Sequence, residues 1–150
     1  MPSYHVEMRS YRLVGWVCLV FFTFCTVAAF LSGHYWPALG LAVFAVLGLY
    51  IVLGAGSFDI DGDRITHRSW FGTWQILWDE INHAEVGETD GTLVLTGIDK
   101  RFVLSPPGWW SGPAKEEALR FVVKQLEARR LSPQPSRSAA YKIMKNTRIR

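Results

Sequence analysis

Two long stretches of the chain carry no charge. Residues 13–31 read LVGWVCLVFFTFCTVAAFL, and residues 36–56 read WPALGLAVFAVLGLYIVLGAG. At about 1.5 Å per residue, either run is long enough as a helix to cross a hydrocarbon core of roughly 30 Å. A buried helix of a soluble protein, or a cleaved signal peptide with Arg9 and Arg12 as its basic end, would account for one such run. Two of them, separated only by Ser32, Gly33, His34 and Tyr35, predict a transmembrane helical hairpin instead. Small residues recur along one side of each span: Gly15, Cys18, Cys25, Ala29 and Ser32 on the first, and Ala38, Ala42, Ala45, Gly48 and Ala55 on the second. Small side chains let membrane helices approach closely, so these rows are the expected helix–helix contact.

After Gly56 the period changes. Short alternating runs predict strands near 57–60, 64–71, 73–78, 83–88, 92–96 and 101–104, with turns at Asp61-Gly62, Gly72, Asp90-Gly91 and Gly97. Asp-Gly is a strong hairpin signal because both residues tolerate the backbone angles of a tight turn. The break SPPGWWSGP follows, and then a helix near 114–130. Pro113 suits its first turn, and Glu116 and Glu117 face the positive end of its dipole. Leu119, Val122, Val123, Leu126 and Arg130 fall at helical spacing and give one apolar stripe that must cover something. The open end of a strongly bent antiparallel sheet is the expected partner.

Four segments of this half carry a resemblance. They are FDIDGDRITHRSWFG, ILWDEINHAEV with its Trp78-Asp79-Glu80-Ile81 strand end, LVLTGIDKRFVLSP, and the helix KEEALRFVVKQLEARR. In this order, behind two spans, they resemble bacterial membrane proteins with two N-terminal transmembrane helices and a pleckstrin-homology (PH)-like domain. The resemblance implies a membrane α-helical hairpin followed by an α+β PH-like domain, a bent antiparallel β-sheet or barrel capped by one C-terminal helix. That fold has seven strands, and six are legible here. The implied division is an N-terminal segment and hairpin at 1–56, a cytoplasmic PH-like domain at 57–131 and a basic tail at 132–150.

Charge sets the expected topology. The loop between the spans lacks Lys and Arg, whereas Arg9 and Arg12 precede the first span and many basic residues follow the second. Positive charge stays inside, so both termini are expected in the cytoplasm, with the hairpin in a bacterial cytoplasmic or intracytoplasmic membrane. Tyr35 and Trp36 sit where an outer aromatic belt belongs, and Tyr11 and Trp16 near an inner one. Cys18 and Cys25 lie about 10 Å apart along one helix, too far for a disulfide.

Candidate chemistry is sparse. Asp59, Asp61 and Asp63 alternate like calcium ligands, but an EF-hand loop counted from Asp59 requires Gly and Glu where Arg64 and Trp70 stand. Arg64, His67 and Arg68 could face a lipid phosphate, yet the aspartates of the same hairpin would repel one. A plain β-hairpin is the preferred reading, with Asp61 organising its turn. No nucleophile motif, phosphate loop or metal-ligand spacing occurs, so neither enzyme activity nor a metal or cofactor is expected.

The tail changes the charge picture. Residues 132–150 hold Arg137, Lys142, Lys145, Arg148 and Arg150 and no acidic residue. Setting those five aside from the 16 Lys and Arg leaves 11 against 13 Asp and Glu, so the basic excess belongs to the tail. Three readings stand: a solvated linker, an arm on anionic lipid, or an arm docked on protein through Tyr141, Ile143, Met144 and Ile149. Trp109 and Trp110 are a second candidate contact, since two adjacent tryptophans cannot share one core pocket. The candidate partner or lipid contacts are therefore Trp109, Trp110, Arg137, Tyr141, Lys142, Ile143, Met144, Lys145, Arg148 and Arg150. The expected role is a non-enzymatic, membrane-anchored accessory, scaffolding or assembly subunit that contacts the bilayer and other membrane protein subunits. The alternative is a module binding anionic phospholipid on the cytoplasmic leaflet. Nucleic acid is not an expected partner.

Overall fold

The computed structural model describes residues 2–149. The chain divides into two compact units: Met8–Ala55, and the residues on either side of that segment taken together.

The first unit is a helical hairpin, α1 (Arg9–Leu31) and α2 (Tyr35–Gly54). Both helices are long and apolar enough to cross a membrane. Their apolar side chains mostly face outward, as with Phe24, Leu31 and Trp36. Glycines set the approach of the two helices. A Cβ on Gly48 would lie 2.6 Å from the backbone nitrogen of Leu19, and one on Gly15 would lie 2.8 Å from Ile51 Cγ2. Phe22 and Phe44 stack at 5.1 Å in the same seam. Gly15, Ala38 and Gly48 of the predicted small rows are buried. Cys18 and Cys25 are free and half-buried. Arg12 donates from Nη2 to the Ala55 carbonyl at 3.3 Å, so a cation sits on the negative end of α2 beside the start of α1.

The second unit is mostly β, with two sheets and one long helix. Its strands are β1 (Tyr4–Glu7), β2 (Ser57–Ile60), β3 (Arg64–Ser69), β4 (Gly72–Leu77), β5 (Ile81–Gly87), β6 (Leu93–Gly97) and β7 (Arg101–Leu104). The helix α3 (Lys115–Ala128) follows, then two short strands, β8 (Gln134–Ser136) and β9 (Arg148–Ile149). One sheet has the order β1-β2-β3-β4-β9 and the other β7-β6-β5-β8. All pairings are antiparallel except β5 with β8. Alternation is regular in β2 and β7, and the strands together bury Val6, Phe58, Ile60, Ile65, Ile76, Leu95, Phe102 and Leu104. Trp78 is fully buried, and its Nε1 donates to the Asp61 carbonyl at 2.8 Å.

The predicted bent sheet is thus two sheets, and several elements differ from the expected ones. Tyr4–Glu7, assigned above to the N-terminal segment, pairs with β2 in the register Tyr4 with Ile60 and Glu7 with Ser57. The helical hairpin is therefore spliced between two neighbouring strands of one sheet. Strand β5 starts at Ile81 rather than 83, because a single 3-10 turn, Trp78–Glu80, suffices to cross between sheets. The buried face of α3 is Ala118, Val122 and Leu126, while Val123 is 46% exposed. Ala118 leads the buried face, and Leu119 is half-buried beside it. Phe121 meets Tyr4 of β1 at 5.2 Å on its flank. Gly56 closes the splice: its Cβ would fall 1.9 Å from the Arg68 carbonyl oxygen, so only glycine lets the chain enter β2 against β3.

Candidate docking surface

The Asp59–Asp63 hairpin is organised by its own side chains. Asp61 Oδ1 accepts from the backbone nitrogens of Asp63 and Arg64, both at 2.9 Å, which is the turn role expected of it. Asp59 is held at 2.6 Å from His5 Nδ1 and 3.3 Å from Arg68 Nε. Its charge is answered within the sheet, partly by a strand the sequence did not disclose. Among the described residues, no group of three or more His, Cys, Asp and Glu side chains is placed to hold a metal ion.

His67 is buried in β3 and stacks between Phe58 at 4.5 Å and Trp74 at 5.6 Å. Its Nδ1 lies 3.2 Å from the Ser57 carbonyl, so that nitrogen carries the proton. Burial disfavours the imidazolium and lowers the pKa below the usual histidine value, against a smaller opposing effect of the Ser57 hydrogen bond.

The tail is not a free linker; it folds back along the β unit. Strand β8 extends β5, Ala139 is fully buried in a 3-10 turn, and Lys145 exchanges two backbone hydrogen bonds of 2.9 Å with Arg101. Thr147 is buried, its hydroxyl donates to the Arg101 carbonyl at 3.3 Å, and its own carbonyl accepts from Gln75 N at 2.8 Å. Strand β9 then pairs with β4. The last stretch of tail therefore stitches β7 of one sheet to β4 of the other. Asn146 makes the bend with φ 53 and donates from Nδ2 to the Asp99 carbonyl at 2.9 Å.

The predicted contact residues separate accordingly. Lys142 turns inward onto Glu85, and this hydrogen bond is the main cause holding the Glu85 carboxyl below the usual carboxylate range. Arg137 reaches Glu88 at 3.4 Å. Arg148 donates to the Phe71 carbonyl at 2.7 Å and lies 5.8 Å from the centre of the Trp74 ring. Lys145 is exposed and Met144 half-buried. Tyr141 and Ile143 point out, 86% and 75% exposed. Arg150 lies outside the described residues. Trp110 is buried 6.3 Å from Phe58 and donates from Nε1 to Ser105, whereas Trp109 is only half-buried. Sequence reasoning missed Ala139, Glu85 and Thr147, which hold the tail down. The only signal for the first was the small apolar pair Ala139-Ala140 inside a polar segment.

No protein-family model matches the chain, and neither curated proteins nor solved structures yield a match.

The tryptophan pair yields a first expectation. Trp110→Ala removes a core aromatic and should cost ~3–5 kcal/mol, while Trp109→Ala should cost far less. Chemical unfolding of both variants in detergent checks this; equal losses would place both rings in the same environment.

A second expectation follows from His67. Its folded pKa lies below its unfolded value, so the unfolded chain takes up the proton first as pH falls. Stability should be full above the unfolded value of about 6.5 and decline as pH drops through it. His67→Phe should flatten the Tm profile between about pH 7 and 5, and an unchanged slope would assign the loss to other groups.

Proposed function

We propose that the protein is a non-enzymatic, membrane-anchored binding module of PH-like type, an accessory, scaffolding or assembly subunit of a larger membrane complex. The strand set supports the PH-like assignment. Strands β1 to β4 and β5 to β7 form two consecutive antiparallel meanders, and a single long helix follows. On this reading β1 counts as the seventh strand, with the helical hairpin inserted between the first and second. Strands β8 and β9 are additions from the tail.

The observation that carries the binding role is the placement of Tyr141 and Ile143. They are exposed apolar side chains on a segment otherwise fixed by backbone pairing, by buried Ala139 and by Lys142 on Glu85. An ordered apolar pair costs little entropy to bury, which is what a protein-docking anchor needs. The anionic-lipid alternative is weakened, because Lys142 and Arg137 are paired with Glu85 and Glu88 inside the unit. Co-purification in mild detergent tests the role. Tyr141→Ser with Ile143→Ser should lose a co-migrating protein that Lys145→Gln with Arg148→Gln retains. The reverse pattern, or no co-migrating protein at all, counts against it.

The splice also bears on topology. Because β1 precedes the hairpin and β2 follows it in one sheet, both ends of the hairpin must open on the same face of the membrane. The loop without Lys or Arg supports the cytoplasm as that face, and a bacterial inner membrane as the location. Reporter fusions at both termini should report the cytoplasm, and one in the 32–34 loop the opposite side. Termini on opposite faces would remove the inserted-hairpin arrangement together with the topology.

A further inference from the structure

The turn between β3 and β4 breaks the chemistry of its neighbours. Elsewhere the hairpins turn on Asp61-Gly62-Asp63, on Asp90-Gly91 and on Ile98-Asp99-Lys100; the last carries one exposed apolar residue, Ile98, but none of these tips carries an aromatic. Here Ser69 pairs with Gly72, and the two residues between them are Trp70 and Phe71. Neither has a positive φ; Gly72, at φ 143, supplies the unusual angle instead. Turn geometry therefore does not call for aromatics at these positions. Nor does the core, since Trp70 is 84% exposed and Phe71 39%.

The place of this turn in the sheet is what gives it meaning. Glu7 pairs with Ser57, Ser57 with Arg68, and Arg68 with Thr73. The chain thus leaves β1 and enters β2 at the end of the sheet toward which β3 runs. Trp70 lies two residues past the Arg68–Thr73 pair, about 7 Å further in that direction at about 3.3 Å per residue. Only Met8 separates β1 from α1, and only Ala55 and Gly56 separate α2 from β2. Links this short span at most about 10 Å. Two cations flank the tip. Arg68 has a 67% exposed side chain, held at its Nε 3.3 Å from Asp59 with its outer nitrogens left over, and Arg148 donates to the Phe71 carbonyl at 2.7 Å.

Resting on the reading that α1 and α2 cross the bilayer, we propose that the Trp70-Phe71 tip is an interfacial anchor. In it the Trp70 ring enters the headgroup layer of the membrane the chain itself spans, and Arg68 and Arg148 face lipid phosphates. The parts match what the interface selects. Tryptophan, an amphipathic ring with one N–H donor, is enriched at headgroup depth, and arginine recognises phosphate with paired donors.

The experiment uses the full chain with Cys18→Ala and Cys25→Ala, reconstituted in phosphatidylcholine–phosphatidylglycerol vesicles. Nitroxide labels are placed singly at Ser69→Cys, beside an intact Trp70; at Ile98→Cys, an 83% exposed position on another turn; and at Val46→Cys in α2. Collision with molecular oxygen and with an aqueous nickel chelate reports the depth of each. The Ser69 label should be reached by oxygen and shielded from nickel, and adding Trp70→Ser should raise its nickel access to that of the Ile98 label. Full nickel access with Trp70 present overturns the proposal. So does shielding that persists in Trp70→Ser, which would mean that the tethers alone hold the turn. Shielding from both reagents would mark a protein contact and overturns it as well. The Val46 label separates the two levels. If it is lipid-exposed while Ser69 is in water, the anchor alone fails; if Val46 is also in water, the membrane reading fails with it.

Discussion

The backbone pairing of Tyr4–Glu7 with Ser57–Ile60 is the constraint on which the rest of the architecture hangs. It joins residues some fifty positions apart, a closure that would ordinarily cost chain entropy. The intervening segment lowers that cost by being folded itself. The close seam of Gly15 and Gly48, and Arg12 on the Ala55 carbonyl, keep the start of α1 next to the end of α2. The hairpin thus presents its two chain ends side by side, and adjacent antiparallel strands are the element that accepts ends so placed. Met8–Ala55 is an insertion into the connection between two paired strands, β1 and β2.

Much of the β unit then follows from β1. Val6 contributes a fully buried side chain, Tyr4 gives α3 a ring to lie against, and His5 answers the charge of Asp59. Without this strand β2 would be an edge with unpaired backbone groups, and the aspartates of the first turn would face solvent with fewer partners. The Asp59 environment is therefore a consequence of chain topology, although its residues alone suggest calcium or phosphate chemistry.

The legible features were those that repeat over many residues. Two uncharged runs disclosed α1 and α2, and alternation with Asp-Gly turns disclosed β2 to β7 to within about two residues. Strand β1 was hidden because four residues, Tyr-His-Val-Glu, are too short to show a period and stand directly before a membrane-like run. On α3 the predicted Val122 and Leu126 are buried, whereas Val123 is exposed and Ala118 was missed, since hydrophobic spacing does not register a small residue that packs. The split of Trp109 from Trp110 was readable, since adjacency forbids a shared pocket. The fold of the tail was not readable, because the groups that hold it lie elsewhere: Glu85 and Glu88 at β5, Arg101 in β7 and the open edge of β4.

That last failure separates the charge of a segment from the charge it shows. By composition, 132–150 is a cationic arm, and a cationic arm suggests lipid. In the fold, Lys142 and Arg137 meet carboxylates, Arg148 is held at the β3–β4 turn on a carbonyl and a ring, and Lys145 keeps its side chain exposed. What remains prominent on the tail is apolar, at Tyr141 and Ile143. Meanwhile the strand half, slightly acidic by composition, places Arg68 beside an exposed tryptophan at the end where the chain departs for the helices, and Arg148 of the tail joins it there. On the proposed reading, the sites suited to protein and to lipid exchange places relative to what composition suggests. Ion pairs formed in the fold cancel charge locally, whereas a two-residue turn has no room to bury what it carries, so its side chains remain available to whatever lies beyond the sheet.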